Sequence, residues 1–121
     1  MAEILIVEDD PDLLDTYVDL MESRGHSVIH ASRLSQASEQ LVKSSPQIIT
    51  LDLNLPGSSG ADVADFIHKI KALGKTKIIV ISGHPEMISS VDWFDEIDLV
   101  LSKPVDNHHL MMMIDRLLSR M

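Results

Sequence analysis

The sequence contains no cysteine, which excludes disulfide staples, thiol catalysis and thiolate zinc sites and fits a reducing compartment. Positive charge is scarce as well: 10 Lys+Arg stand against 19 Asp+Glu, a formal net charge of −9 at pH 7. A chain this acidic repels DNA, RNA and anionic membranes, so direct nucleic-acid binding is not expected and any such role has to come from a partner or a further domain. Long hydrophobic runs are missing. The longest, Leu110 to Ile114, falls far short of the ~20 apolar residues that a membrane-crossing helix needs. The first residues carry Glu3 and no basic cluster, so neither a signal peptide nor a membrane span is read, and a cytoplasmic location is expected. No Gly-x-Gly-x-x-Gly follows the first strand candidate, which leaves dinucleotide binding without support.

What is present is a chain of 121 residues, 45% hydrophobic and 24% charged, the size and balance of one ordinary domain spanning residues 1–121. Apolar runs rich in β-branched residues at Ile4–Val7, Ile48–Leu51, Ile78–Ile81 and Leu99–Leu101 read as strands, with a weaker one at His26–Ala31. Segments with helical spacing lie between them. Asp10 caps the first, with Pro11 and Asp12 in its opening turn and Leu13, Leu14, Tyr17, Val18 and Met21 facing inward. The second runs from Arg33 to Lys43 with Leu34, Ala37, Leu41 and Val42 inward, and the third turns Val63, Phe66, Ile67, Ile70 and Leu73 inward before Gly74. A short helix is expected at Pro85–Val91. The last helix follows Asp106, with Leu110, Met113, Ile114 and Leu117 toward the core, Met111 at the margin and Met112 outward.

Strand–helix alternation predicts an α/β fold, a parallel five-stranded sheet covered on both faces by helices. The three all-apolar runs belong in the middle and His26–Ala31 at an edge, which with right-handed crossovers gives the flavodoxin-like, doubly wound order 2-1-3-4-5. In such a sheet the ligand crevice lies beyond the carboxyl ends of the first and third strands. Glu8, Asp9 and Asp10 leave the first strand there, and Asp52 leaves the third. Two carboxylates ~4 Å apart repel by roughly 4 kcal/mol at an effective dielectric of 20, so the cluster calls for a proton or a cation. Oxygen ligands favour Mg²⁺ or a similar hard ion. Ser82 ends the fourth strand and Lys103 follows the fifth, while the loop Asn54–Gly60 can wrap the same rim. Acids, a hydroxyl, a lysine and a metal suit phosphoryl transfer, with Asp52 the natural nucleophile and Lys103 and Ser82 on the phosphoryl oxygens.

Four segments carry a resemblance: Ile6-Val7-Glu8-Asp9-Asp10-Pro11; Leu51-Asp52-Leu53-Asn54-Leu55-Pro56-Gly57 with Gly60; Val80-Ile81-Ser82-Gly83; and Ser102-Lys103-Pro104. In order and spacing the chain resembles the receiver domains of two-component response regulators over nearly its whole length. The resemblance implies Asp52 as phosphoacceptor, Glu8, Asp9, Asp52 and the backbone carbonyl of Asn54 around Mg²⁺, with Asp9 a direct ligand, and Ser82 and Lys103 as phosphate contacts. It also implies a sensor histidine kinase or a histidine phosphotransfer protein as donor, a downstream output domain or protein as recipient, and pairing of phosphorylated copies. On this reading the chain is a signalling phosphoacceptor, not an enzyme, although it assists its own phosphorylation and dephosphorylation. The pattern departs at Val100, where many members carry an aromatic residue, and at Val105, often Phe. His84 takes a position that in the family helps set how fast the acyl phosphate is lost.

Two other readings use the same residues. A phosphorylation-independent interaction module of receiver-like fold is consistent with Val100. A Mg²⁺-dependent phosphohydrolase working through an aspartyl phosphate lacks a cap or substrate domain here, and its acceptor would follow the wrong strand. His26, His30, His68, His108 and His109 scatter over different elements and are expected at the surface. Trp93 and Phe94 read as anchors before the last strand.

Overall fold

A computed structural model describes residues 2–55, 57, 59–83 and 94–121. The helix expected at Pro85–Val91, the role of His84, Trp93 and the side chain of Phe94 lie outside the described residues, as do Pro56 and Ser58 of the rim loop. The elements run β1 (Glu3–Val7), α1 (Pro11–Ser23), β2 (Ser27–Ala31), α2 (Leu34–Lys43), β3 (Ile48–Asp52), α3 (Gly60–Leu73), β4 (Lys77–Ser82), a single 3-10 turn (Phe94–Glu96), β5 (Leu99–Ser102) and α4 (Asn107–Ser119). All strand pairs are parallel, and the order β2-β1-β3-β4-β5 is the one expected from strand polarity. β3 is buried along its entire length, whereas β2, at the edge, shows a broken pattern that half-exposes Val28 and Ile29.

Side chains alternate across the sheet and divide the core in two. Leu5, Val7, Ile49, Leu51, Ile78 and Val80 face α2 and α3, where Leu34, Ala37, Leu41, Phe66, Ile67 and Ile70 meet them. Ile4, Ile6, Ile48, Ile79 and Ile81 face α1 and α4, against Tyr17, Met21, Leu110, Met111 and Ile114. Each such side chain, fully withdrawn from water, contributes about 1.5–3 kcal/mol of transfer free energy. The caps follow the sequence: Asp10 accepts from the amides of Asp12 and Leu13, Ser59 and Asp62 form a reciprocal capping box, and Asp106 accepts from those of His108 and His109. Gly74 closes α3 at φ 82°, a left-handed conformation that glycine adopts without cost.

Some burial assignments need correction. Val42 is 79% exposed because it lies about 100° round α2 from the buried stripe of Leu34, Ala37 and Leu41, and Leu73, the last residue of α3, is 53% exposed beyond the last buried residue, Ile70. In α4 it is Met111 that is fully buried and Met113 that is half-buried, the stripe of Leu110, Met111 and Ile114 being rotated slightly from the expected one. His26 is buried instead of exposed. Its Nδ1 accepts from the Ala2 amide at 3.2 Å, and burial, reinforced by the chain's N-terminal charge, holds its pKa below the usual imidazole range.

Candidate functional site

β1 and β3 are neighbours, so the chain leaving each strand emerges at the same edge of the sheet. Glu8 continues β1 and still pairs with β2 through its amide, which donates to the Ala31 carbonyl at 3.0 Å. That pairing fixes the side chain inward, at 2% exposure. Asp52, also 2% exposed, is the last residue of β3. Asp9 stands at the surface. Glu8, Asp9 and Asp52 each place a carboxylate oxygen within 4.8 Å of the others, the one such cluster found among the described residues.

Three partners orient these acids. The Asn54 amide donates to Asp52 Oδ1 at 2.9 Å, and the Lys103 ammonium donates to Asp52 Oδ2 at 2.8 Å. The amides of Asp9 and Asp10 donate to Glu8 Oε2 at 3.1 and 3.2 Å, so Glu8 also shapes the turn into α1. Glu8 Oε1 is buried and has no hydrogen-bond partner. Burial pushes the Glu8 carboxyl from 4.5 up to about 7; the Asp10 amide pulls it back, while the neighbouring Asp52 carboxylate adds to the rise and Lys103 opposes it. For Lys103, burial disfavours the charged form, but the hydrogen bond to Asp52 and the negative charges of Asp52, Glu8 and Asp9 outweigh it and raise its pKa. The ammonium therefore stays charged at neutral pH.

β4 and β5 bring the remaining candidates. Ser82 ends β4, is buried, and lies opposite Ser102 of β5 in the parallel register. Its carbonyl accepts from the Lys103 amide at 2.9 Å, which ties the lysine to the end of β4. The Lys103–Pro104 peptide is cis. The structure thus assembles Glu8, Asp9, Asp52 and Lys103 in one contact group, sets Asn54 against Asp52 through its amide, and places Ser82 on the adjoining strand end. Asp10 remains the α1 cap. His30, His68, His108 and His109 join no metal-ligating cluster among the described residues.

Sequence reasoning assigned Tyr17 only to the core. Buried in α1, its phenol is pushed up to about 12 by burial first and then by the charges of Glu8 and Asp52, whose field reaches this part of the core. The one available signal was its place on the inner face of α1, the helix that follows Glu8, Asp9 and Asp10. Chemically, a buried acid held near neutrality, two further carboxylates and a tethered lysine can hold a divalent cation and present one oriented carboxylate, Asp52, to an electrophile.

Comparison with known proteins gives concordant findings. The family model described as "Response regulator receiver domain" matches residues 4–115. Among curated proteins, the phosphoglycerate transport system transcriptional regulatory protein PgtA of Salmonella typhimurium is 30% identical, over 94% of this chain and 27% of its own length. Protein PilH of Pseudomonas aeruginosa is 25% identical over 98% of this chain and 99% of its own. The chain spans about half or less of several such relatives, 50% in the case of RpaA from Synechocystis. Among solved structures, the receiver domain of the PhyR response regulator from Erythrobacter litoralis superimposes with a TM-score of 0.82 at 28% identity, covering 97% of this chain and 89% of that one. A CheY-like receiver domain protein from Methanospirillum hungatei superimposes with a TM-score of 0.87 at 24% identity, covering 99% and 95%.

Proposed function

The chain belongs to the response regulator receiver domain family, and from that premise we propose that Asp52 is its phosphoacceptor, charged by a phosphohistidine of a sensor histidine kinase or histidine phosphotransfer protein. The observation that carries this reading is the 2.8 Å contact of Lys103 with a buried Asp52 that shares its crevice with Glu8 and Asp9. In the transfer, an Asp52 carboxylate oxygen forms the new P–O bond as the P–N bond of the donor breaks, and its electron pair leaves with the imidazole. The Asn54 amide on Oδ1 fixes the carboxylate plane for that attack. Formation of the acyl phosphate moves the negative charge from the Asp52 carboxylate to the phosphoryl oxygens, so the Lys103 ammonium moves to one of them, and the Ser82 hydroxyl donates to another.

Glu8, Asp9, Asp52 and the Asn54 carbonyl are the proposed Mg²⁺ ligands. The residues fit a hard cation: their donors are oxygens, three carboxylates converge within 4.8 Å, and Glu8 Oε1 is buried without a hydrogen-bond partner. When bound, Mg²⁺ supplies the neutralisation of phosphoryl charge that Lys103 alone does not complete. The product is a modified protein and not a released molecule, so the chain acts as a signalling phosphoacceptor that assists its own modification. Exchange of a carboxylate for a group carrying about −2 charge draws the Ser82 hydroxyl toward the phosphoryl oxygens and biases the surface offered to an output domain, an output protein or a second copy. A cysteine-free chain whose donor is a kinase or relay protein fits a cytoplasmic setting. The test is phosphoryl incorporation from acetyl phosphate as Mg²⁺ is titrated: saturable, EDTA-sensitive incorporation that is lost in Asp9→Asn is expected, and incorporation indifferent to both would overturn the reading.

A further inference from the structure

His26 is a buried titratable group that the site around Asp52 does not use. It lies between α1 and β2, and its ring meets Ala2, just ahead of β1. The Ala2 amide donates to its Nδ1 at 3.2 Å, and Ala2 is itself buried. Nδ1 accepts only while it carries no proton, so the neutral ring keeps its hydrogen on Nε2. Nε2 is buried too and has no hydrogen-bond partner among the described residues. A second proton is therefore poorly served at this ring, where one nitrogen faces a donor and the other faces no acceptor. Burial is the largest obstacle to an imidazolium here. Among the charges, the N-terminal ammonium and Arg24, at the end of α1, oppose it, while Asp115 of α4 favours it. Asp115 is already engaged, pairing with Arg24 at 3.2 Å across the seam between α1 and α4.

We propose that His26 is a proton-operated latch at the start of β1: as the neutral ring it holds the Ala2 amide, and as the imidazolium it lets go of Ala2 and swings toward Asp115 and water. Protonation puts a hydrogen on Nδ1, so two N–H groups confront each other across 3.2 Å and the contact breaks. The released ring competes with Arg24 for Asp115, which couples the latch to the α1–α4 seam. Ala2 keeps one tether, its carbonyl, which accepts from the Ser27 amide at 2.8 Å, but a buried amide without an acceptor turns out to water. Release stops at Glu3, which stays in the sheet opposite Ser27 and whose carbonyl accepts from the Gln47 amide at 2.8 Å. The fold holds the His26 proton less tightly than an ordinary imidazole of pKa 6.5 does. The stabilising contact is thus fully present above 6.5 and is lost as pH falls from there through the folded pKa. Glu8, past the other end of β1, acts in the opposite sense, since its contribution is lost as pH rises through about 7. The latch does not depend on Asp52 accepting phosphate.

The test follows the His26 ring nitrogens by NMR from pH 8 to pH 5, together with protection of the Ala2 amide from hydrogen exchange, corrected for the intrinsic effect of pH. The expected result is an Nε2–H tautomer at pH 8, titration of His26 below 6.5, and Ala2 protection that falls by up to about tenfold per pH unit over the same range. His26→Gln offers the Ala2 amide an acceptor that never ionises, so its Ala2 protection should not respond to pH. Asp115→Asn, at the surface, removes the one favouring charge and should move both the His26 titration and the Ala2 release to lower pH. An Nδ1–H tautomer at pH 8, titration at or above 6.5, or Ala2 protection that survives protonation of His26 would overturn the proposal. Equal acid loss of protection in His26→Gln would overturn it as well. Should that variant fail to fold, Asp115→Asn decides alone: an Ala2 release that stays where it is in wild type refutes the latch.

Discussion

Replacing Glu8 by Gln should stabilise the metal-free protein at neutral and alkaline pH while weakening Mg²⁺ binding. The Glu8 carboxyl is buried and titrates near 7 in the fold against 4.5 as its ordinary value, so the folded state holds this proton more tightly than the unfolded state does. Its contribution to stability is therefore fully present below 4.5 and is lost as pH rises through about 7, where the bare anion sits beside Asp52. The difference between 4.5 and about 7 corresponds to about 3 kcal/mol at most. Gln keeps the size of the side chain and one acceptor for the Asp9 and Asp10 amides but never ionises. In EDTA at pH 8 the variant should then unfold later than wild type, by up to about 3 kcal/mol in urea or roughly 10 °C in thermal melts, and the gap should close toward pH 4.5. Mg²⁺ closes most of this gap, because a cation at 100 times its dissociation constant stabilises wild type by about 2.7 kcal/mol and the variant by much less. The reasoning is refuted if the variant is no more stable than wild type at pH 8 without metal, or if Mg²⁺ raises both melting points equally.

Lys103→Met leaves the buried Asp52 without its charged partner and should cost about 1–3 kcal/mol at pH 8 in EDTA, read from urea midpoints, together with most of the phosphoryl incorporation. Asp10→Ala removes the α1 cap and should cost about 1 kcal/mol with phosphoryl incorporation unchanged, which separates it from its neighbours Glu8 and Asp9. In α4, Met111→Ala should cost about 2–5 kcal/mol and Met112→Ala no more than about 0.5 kcal/mol, because the first side chain is fully buried and the second is half in water. Equal costs would mean that the helix is rotated from the orientation described.

The fold was legible because each of its signals is local. Ile4–Val7, Ile48–Leu51 and Ile78–Ile81 are apolar on both faces, which only central parallel strands require, and the mixed polarity of His26–Ala31 marks an edge. Helix faces were harder. A 3.6-residue period fixes the edges of an inner stripe only to within about one residue position, which is why Met113 is expected where Met111 lies and why Val42, one position beyond Leu41, and Leu73, at the end of α3, are outside. His26 is buried by a contact with Ala2, 24 residues away, that no pattern encodes. At the site, strand ends could be listed from the sequence and the crevice located by topology. The pairing of Lys103 with Asp52 across 51 residues, the unpartnered oxygen of Glu8 and the charge of two acids reaching Tyr17 needed coordinates.

The central claim is that Asp52 takes the phosphoryl group. Its most direct test is the intact mass of wild type and of Asp52→Asn after incubation with acetyl phosphate and Mg²⁺, with folding of both checked by circular dichroism. The account predicts a single phosphoryl adduct on wild type, removed by hydroxylamine as an acyl phosphate must be, and none on the variant. An adduct on both proteins, or on neither when a phosphohistidine donor is also supplied, would contradict it.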